Sequence, residues 1–295
     1  MENVFNNEKR LMNLNFLVDS DNYNIKKEKR YFIPFRETKP NFENPCWGII
    51  NRKGDVIINT WYDFIIGDYY DKNTLFKYVE RNYNNDYQPK WGLFDSTGKS
   101  ILKPVYDKII LSEDKTLVVT CKDDVWQLRN RKGLLIVREV FEEISFLNTQ
   151  LMSVTKEGYL GVIDNKGKII VPYGEYSAVY TFCNGLGIVE REDKYGVINE
   201  EGEEVVTLTY DYIHSYNRGL AIARKDKKYG VINEEAEEVV PFVYHNIWNF
   251  SENYNFMIVE KCEDNDQIKR FIIPFDNLSK VIPYDRPIRE NLDLL

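Results

Sequence analysis

"KKYGVINEEAEEVVPFVY", from Lys227 to Tyr244, nearly restates "DKYGVINEEGEEVVTLTY", from Asp193 to Tyr210, thirty-four residues upstream. A near-copy at a fixed distance is the mark of tandem repetition and has to be read before any motif. With Tyr229-Gly230 as the anchor, the same slot holds Trp47-Gly48, Trp91-Gly92, Trp126-Gln127, Leu160-Gly161 and Tyr195-Gly196. Six residues after the second anchor residue stand Gly54, Gly98, Gly133, Gly167 and Gly202, with Ala236 in the last copy. Eight residues further on comes an aromatic: Tyr62, Tyr106, Phe141, Tyr210 and Tyr244, with Tyr176 one position late. The period is about thirty-five residues.

Each copy parses into short apolar runs separated by polar turns. In "GLAIARKDKKYGVINEEAEEVVPF" these are strand A (GLAIAR), strand B (KYGVIN) and strand C (EEVVPF). Strand A recurs as RYFIPFR, TLFKYVER, TLVVTCK, QLMSVTK, GLGIVER, GLAIARK and NFMIVEK, and the seventh strand B is the degenerate KRFIIPF, Lys269 to Phe275. The prediction is an all-β chain of about seven three-stranded antiparallel units. An open superhelical array is favoured over a closed propeller-like ring, because propeller blades have four strands in about 40–45 residues. "REVFEEISFL" is the sole candidate for a helix. The expected boundaries are a cap or tail over 1–29, the repeat domain over 30–285 and a tail over 286–295, since terminal repeats must face water on one side.

Strand B carries apolar residues on both faces, Tyr229 and Val231 on one and Gly230 and Ile232 on the other. It is therefore expected between neighbouring units, with the bulky anchor filling space and the glycine admitting a close backbone or ring. The B–C turn is expected to hold a left-handed residue at its glycine, which makes Ala236 strained and predicts a higher melting temperature for Ala236→Gly.

Composition narrows the function classes. A net charge of −8 and a pI of about 5.1 exclude a general phosphate-backbone binder and permit a basic protein partner. Cys46, Cys121, Cys183 and Cys262 are widely spaced and form no C-x-x-C pair, so free thiols are expected rather than a zinc or redox site. The first residues hold no apolar run of signal-peptide length, and no stretch approaches the roughly 20 apolar residues of a membrane span, which reads as a cytoplasmic protein.

Three further motifs bear on catalysis. "TGKS" at 97–100 lacks the glycine a phosphate loop needs five residues earlier, where Leu93 stands. His214 and His245, the only histidines, occupy different slots of the repeat. No G-x-S-x-G elbow is present. No catalytic residue, metal or cofactor is expected. Two features point instead to a partner surface. Glu200, Glu201, Glu203 and Glu204 recur as Glu234, Glu235, Glu237 and Glu238, an acidic edge that serves either as a solvated rim against aggregation or as a dock for a basic partner or divalent cation. Long A–B loops carry Phe42, Tyr83 and Tyr87, aromatic tips of the kind that anchor interfaces.

"WGIINRKGDVII" (47–58), "WGLFDSTGKSILKPVYD" (91–107) and "LGVIDNKGKIIVP" (160–172) resemble WG-repeat proteins, a largely bacterial family of β-repeats, over roughly 30–285. The departures are Trp126-Gln127, Leu160 and Ala236. The resemblance implies β-repeat architecture and binding rather than catalysis, and it transfers no catalytic residue. The expectation is a non-enzymatic interaction protein: an adaptor, a defence-system subunit or a toxin-neutralising immunity protein. A carbohydrate or cell-envelope binding module is the alternative.

Overall fold

A computed structural model describes residues 30–38, 46–80, 89–248, 255–262 and 267–284. Among these every regular element is a β-strand, all ladders are antiparallel and none of the sheets is closed. "REVFEEISFL" forms no helix: Glu143–Phe146 is a strand. Among the described residues no helix is long and apolar enough to cross a membrane. Contacts divide the chain into two compact units, 1–144 with 165–167, and 145–164 with 168–295.

From Glu143 onward the repeat is a four-stranded meander, not the three-stranded unit expected from sequence. The sheet built on Tyr195 runs Ala178–Val179, Leu186–Arg191, Lys194–Asn199 and Glu204–Tyr210. The one built on Tyr229 runs Tyr212–Ile213, Leu220–Lys225, Lys228–Asn233 and Glu238–Tyr244. The added lead strand follows the C-strand aromatic after a single junction residue. That residue's backbone N–H reaches strand A: Ser177 donates to Glu190 and Asp211 to Arg224, both at 2.8 Å. In the first unit, Val56–Ile66 spans both roles, pairing Tyr62 with Trp47 on one side and Ile65 with Tyr78 on the other. The first two copies thereby merge into one six-stranded sheet.

Register explains the spacing rules. The anchor and the aromatic that follows it by fifteen residues face each other across strands B and C: Trp47↔Tyr62, Trp91↔Tyr106, Tyr195↔Tyr210 and Tyr229↔Tyr244. Such cross-strand aromatic pairs stabilise a sheet by roughly 0.2–1 kcal/mol each. Between this pair and the next, strand C bulges opposite the anchor glycine. A Cβ on Gly230 would lie 2.7 Å from the Val240 carbonyl oxygen, and one on Gly196 would lie 2.6 Å from that of Val206. The backbone that comes close thus belongs to the same sheet, not to a neighbouring repeat. Pro104 and Pro241 sit in this bulge, where a missing N–H costs no ladder bond. The late aromatic Tyr176 follows from one extra residue at Gly174, whose φ is +79°. The aromatic absent at Leu160 is supplied by Tyr173, whose ring lies against Gly161.

In the second unit the core lies between consecutive sheets, and strand B serves two cores at once. Val197 joins Ile188 and Val206 against Ile213, Ala221 and Ile232 of the following sheet, while adjacent Ile198 packs with Val162 and Val171 of the preceding one. Val231, Val240 and Ile222 likewise meet Ile247, Met257 and Ile273. The turn glycines Gly98, Gly133, Gly167 and Gly202 also touch the preceding repeat: a Cβ on Gly98 would lie 2.1 Å from the Ile57 oxygen and one on Gly202 2.7 Å from the Ile170 oxygen. The φ angles of Gly98 and Gly202 are +83° and +85°, and Ala236 shares the left-handed conformation at +65°. The anchors themselves are half-buried at the margin of these cores rather than enclosed.

Candidate functional site

An Asn or Asp closes the B–C turn in each of the first six repeats. The Oδ1 atoms of Asn51, Asp95, Asn130 and Asn199 each accept two backbone N–H groups, and those of Asp164 and Asn233 accept the N–H groups of Lys168 and Glu237. These caps draw on the acidic edge. Glu203 accepts the Asn199 Nδ2 at 2.9 Å and Glu237 that of Asn233 at 2.8 Å. Glu200 accepts the Asn148 side chain at 2.7 Å. Glu234 is half-buried, whereas Glu201, Glu204, Glu235 and Glu238 are exposed. Of the eight carboxylates, Glu200, Glu203 and Glu237 are engaged in turn bonds, and Glu203 and Glu237 are exposed as well. Phe42, Tyr83 and Tyr87 lie outside the described residues.

Other charged side chains are spent on joining repeats. Asp107 pairs with Lys90 and accepts the Asp123 N–H at 2.8 Å. Asp211 repeats the arrangement, with Lys194 at 2.6 Å and the Lys227 N–H at 3.2 Å. The lysine first, then the backbone N–H, holds each carboxyl below the usual aspartate range. Lys115 bridges Asp68 and Asp71 at 3.1 and 2.8 Å. Gly98 occupies its turn, and Asp95 caps it, so "TGKS" is a hairpin end. Cys46 and Cys121 are buried free thiols. Among the described residues no group of three metal-ligating side chains forms.

What sequence reasoning passed over is a surface cluster in the second unit. Tyr180, just after the lead strand Ala178–Val179, and Tyr212, on the next lead strand, flank Tyr195 on strand B. Ring centroids are 6.3 Å apart for Tyr180 and Tyr195 and 5.4 Å for Tyr195 and Tyr212, with His214 at 6.4 Å from Tyr212. The Tyr180 hydroxyl donates to Glu190 Oε2 at 3.1 Å. Hydrogen bonding to Tyr180, then burial, then hydrogen bonding to Glu190 pushes the Tyr195 hydroxyl far above the usual phenol range, so it stays protonated. Tyr180 is 43% exposed and Tyr212 39%. The arrangement offers aromatic faces and one carboxylate to solvent. Its sequence signal was the aromatic-bearing tract that follows Tyr176 and Tyr210, SAVYTF and DYIHSY, which is too short to read as a strand.

A family model described as "WG containing repeat" matches residues 91–126, 161–195, 195–229 and 229–261. No curated protein matches the chain. Among solved structures it is similar to one titled "Crystal structure of the eukaryotic initiation factor", at 12% identity over 81% of this chain and 72% of that one, with a TM-score of 0.42. It is also similar to Hsv2p of Kluyveromyces lactis, at 11% identity over 67% and 70% of the two chains and a TM-score of 0.37. These likenesses are too distant to inform fold or function.

Proposed function

This chain is a WG-repeat protein, and on that premise we propose that it is a non-catalytic scaffold that binds another protein carrying a basic docking segment. The observation that carries this reading is the outward-facing cluster of Tyr180, Glu190, Tyr195 and Tyr212, in a chain of net charge −8. Tyrosine supplies large contact area at low entropy cost and is enriched where partners anchor. Exposed Glu201, Glu204, Glu235 and Glu238 supply a field of the matching sign. Asp107 and Asp211 are held by lysines, and Lys115 by two aspartates. We read the repeats as an open array acting in the cytoplasm. Small-angle scattering distinguishes that array from a compact ring.

The test is capture on the full chain from native cells, followed by reconstitution with the purified partner. The expected result is a stoichiometric complex with a basic protein whose affinity falls steeply with added salt. Recovery of glycans in place of protein, or a complex indifferent to salt, would contradict the proposal and favour the carbohydrate alternative.

A further inference from the structure

The repeats supply their own control for the Tyr195 cluster. In every sheet one residue of strand A stands opposite the anchor. It is Arg36 opposite Trp47 and Arg224 opposite Tyr229. Both guanidinium groups lie over the facing ring, at 5.8 and 6.0 Å from its centroid. Trp91 and Trp126 receive a cation from elsewhere, Lys77 at 5.6 Å and Lys108 at 5.3 Å. Tyr195 is the one aromatic anchor with no cation over its ring among the described residues. Opposite it stands Glu190, an anion where the neighbouring repeat has arginine.

The last repeat shows what a glutamate in this slot takes. There Glu260 faces Arg270, which occupies the anchor position, and the two pair at 2.8 Å. Glu190 has no such partner among the described residues; its oxygens meet only phenol hydroxyls. Nearby cations are directed elsewhere: Arg191 to Glu175 and Tyr176, Lys194 to Asp211, and Arg224, which stands opposite Tyr212 with its Nε unpartnered among the described residues, over Tyr229. One repeat thus combines both halves of a guanidinium site, ring and carboxylate, and lacks the guanidinium.

We propose that Tyr180, Glu190, Tyr195 and Tyr212 form a receptor for an arginine side chain of the partner protein, which stacks on the tyrosine rings and donates to the Glu190 carboxylate. This rests on the protein-binding reading and names the chemistry of its contact. Arginine suits the site better than lysine because its planar fork both stacks and bonds to a carboxylate.

The probe is N-acetyl-arginine amide, titrated into the full chain and followed by the ring resonances of labelled tyrosines. Saturable shifts are expected at Tyr180, Tyr195 and Tyr212, with a Kd on the order of 1–10 mM. Glu190→Gln should weaken binding about tenfold, and the uncharged citrulline analogue should produce no saturable shift. Glu190→Arg installs the residue the neighbouring repeat carries, so it should abolish binding without lowering the melting temperature. Equal response to citrulline, no shift at these rings, or undiminished binding to Glu190→Arg would overturn the assignment. Partner capture unchanged by Glu190→Arg would sink this site alone. Intact arginine binding with no protein partner would sink the protein-binding reading alone.

Discussion

The sheets built on Tyr195 and Tyr229 have almost the same B and C strands, yet they solve three local problems differently. Opposite the anchor one has Glu190 and the other Arg224. At the left-handed turn one has Gly202 and the other Ala236, with φ of +85° and +65°. At the junction to the next lead strand one has Asp211 and the other His245. The strand B residues that meet two cores and the anchor glycine opposite the bulge are shared. The bulge itself differs, Thr207-Leu208-Thr209 against Pro241-Phe242-Val243, as do the three positions above. Packing between repeats therefore holds the architecture constant while edge positions are free to change role.

The comparison breaks most severely at strand B. Ile198 and Ile232 occupy the same slot, both with no exposed surface. Ile198→Ala and Ile232→Ala should each cost about 2–5 kcal/mol, in near-equal amounts, as read by denaturant unfolding. A loss under about 1 kcal/mol at either would show that its sheet does not pack on both sides. Next come the anchor glycines. Gly196→Ala and Gly230→Ala drive a methyl into a carbonyl oxygen at 2.6 and 2.7 Å, so each should lose about 1–3 kcal/mol.

The turn sharpens the contrast. Gly202→Ala should cost about 1–2 kcal/mol, for its φ and for its approach to the Ile170 oxygen. Ala236→Gly should gain about 0.5 kcal/mol, because relief of the left-handed strain is partly offset by a freer unfolded chain. Opposite signs in thermal melts are the outcome expected; the same sign at both sites would contradict the turn geometry.

The smallest effect is electrostatic. Asp107 and Asp211 titrate lower in the folded chain, chiefly through Lys90 and Lys194. Their contribution is complete above the unfolded aspartate value of about 4 and disappears as pH falls through their folded values. Asp211→Asn should accordingly lower the melting temperature slightly near neutrality and leave it unchanged in strong acid. A decrement that persists in strong acid would assign Asp211 a role other than this ion pair.

The period, the two-sided strand B and the left-handed turn were all legible in the sequence, because each repeats a residue type that one backbone geometry demands. The lead strand was not. Ala178–Val179 and Tyr212–Ile213 are too short to display alternation, and their existence depends on a junction N–H reaching a carbonyl of the following strand A. The four-stranded sheet that results removes the strand-count reason for preferring an open array. The turn caps were visible as Asn or Asp at 51, 95, 130, 164, 199 and 233, but the spacing rules anchored on glycine passed over them. The site was hidden for a different reason. Glu190 and Tyr195 are five residues apart in sequence, and only the tight hairpin between strands A and B puts one opposite the other. A difference such as Glu190 against Arg224 looks like ordinary surface variation until that register is known.

If one charge decides which repeat is open to a partner, equivalent slots are interchangeable. The direct measurement is the exchange of those charges, Glu190→Arg with Arg224→Glu in one chain, followed by the arginine-amide titration. The prediction is that the saturable shifts leave Tyr195 and appear at Tyr229. Shifts that remain at Tyr195, or that vanish without appearing at Tyr229 in a chain that melts as before, would contradict it.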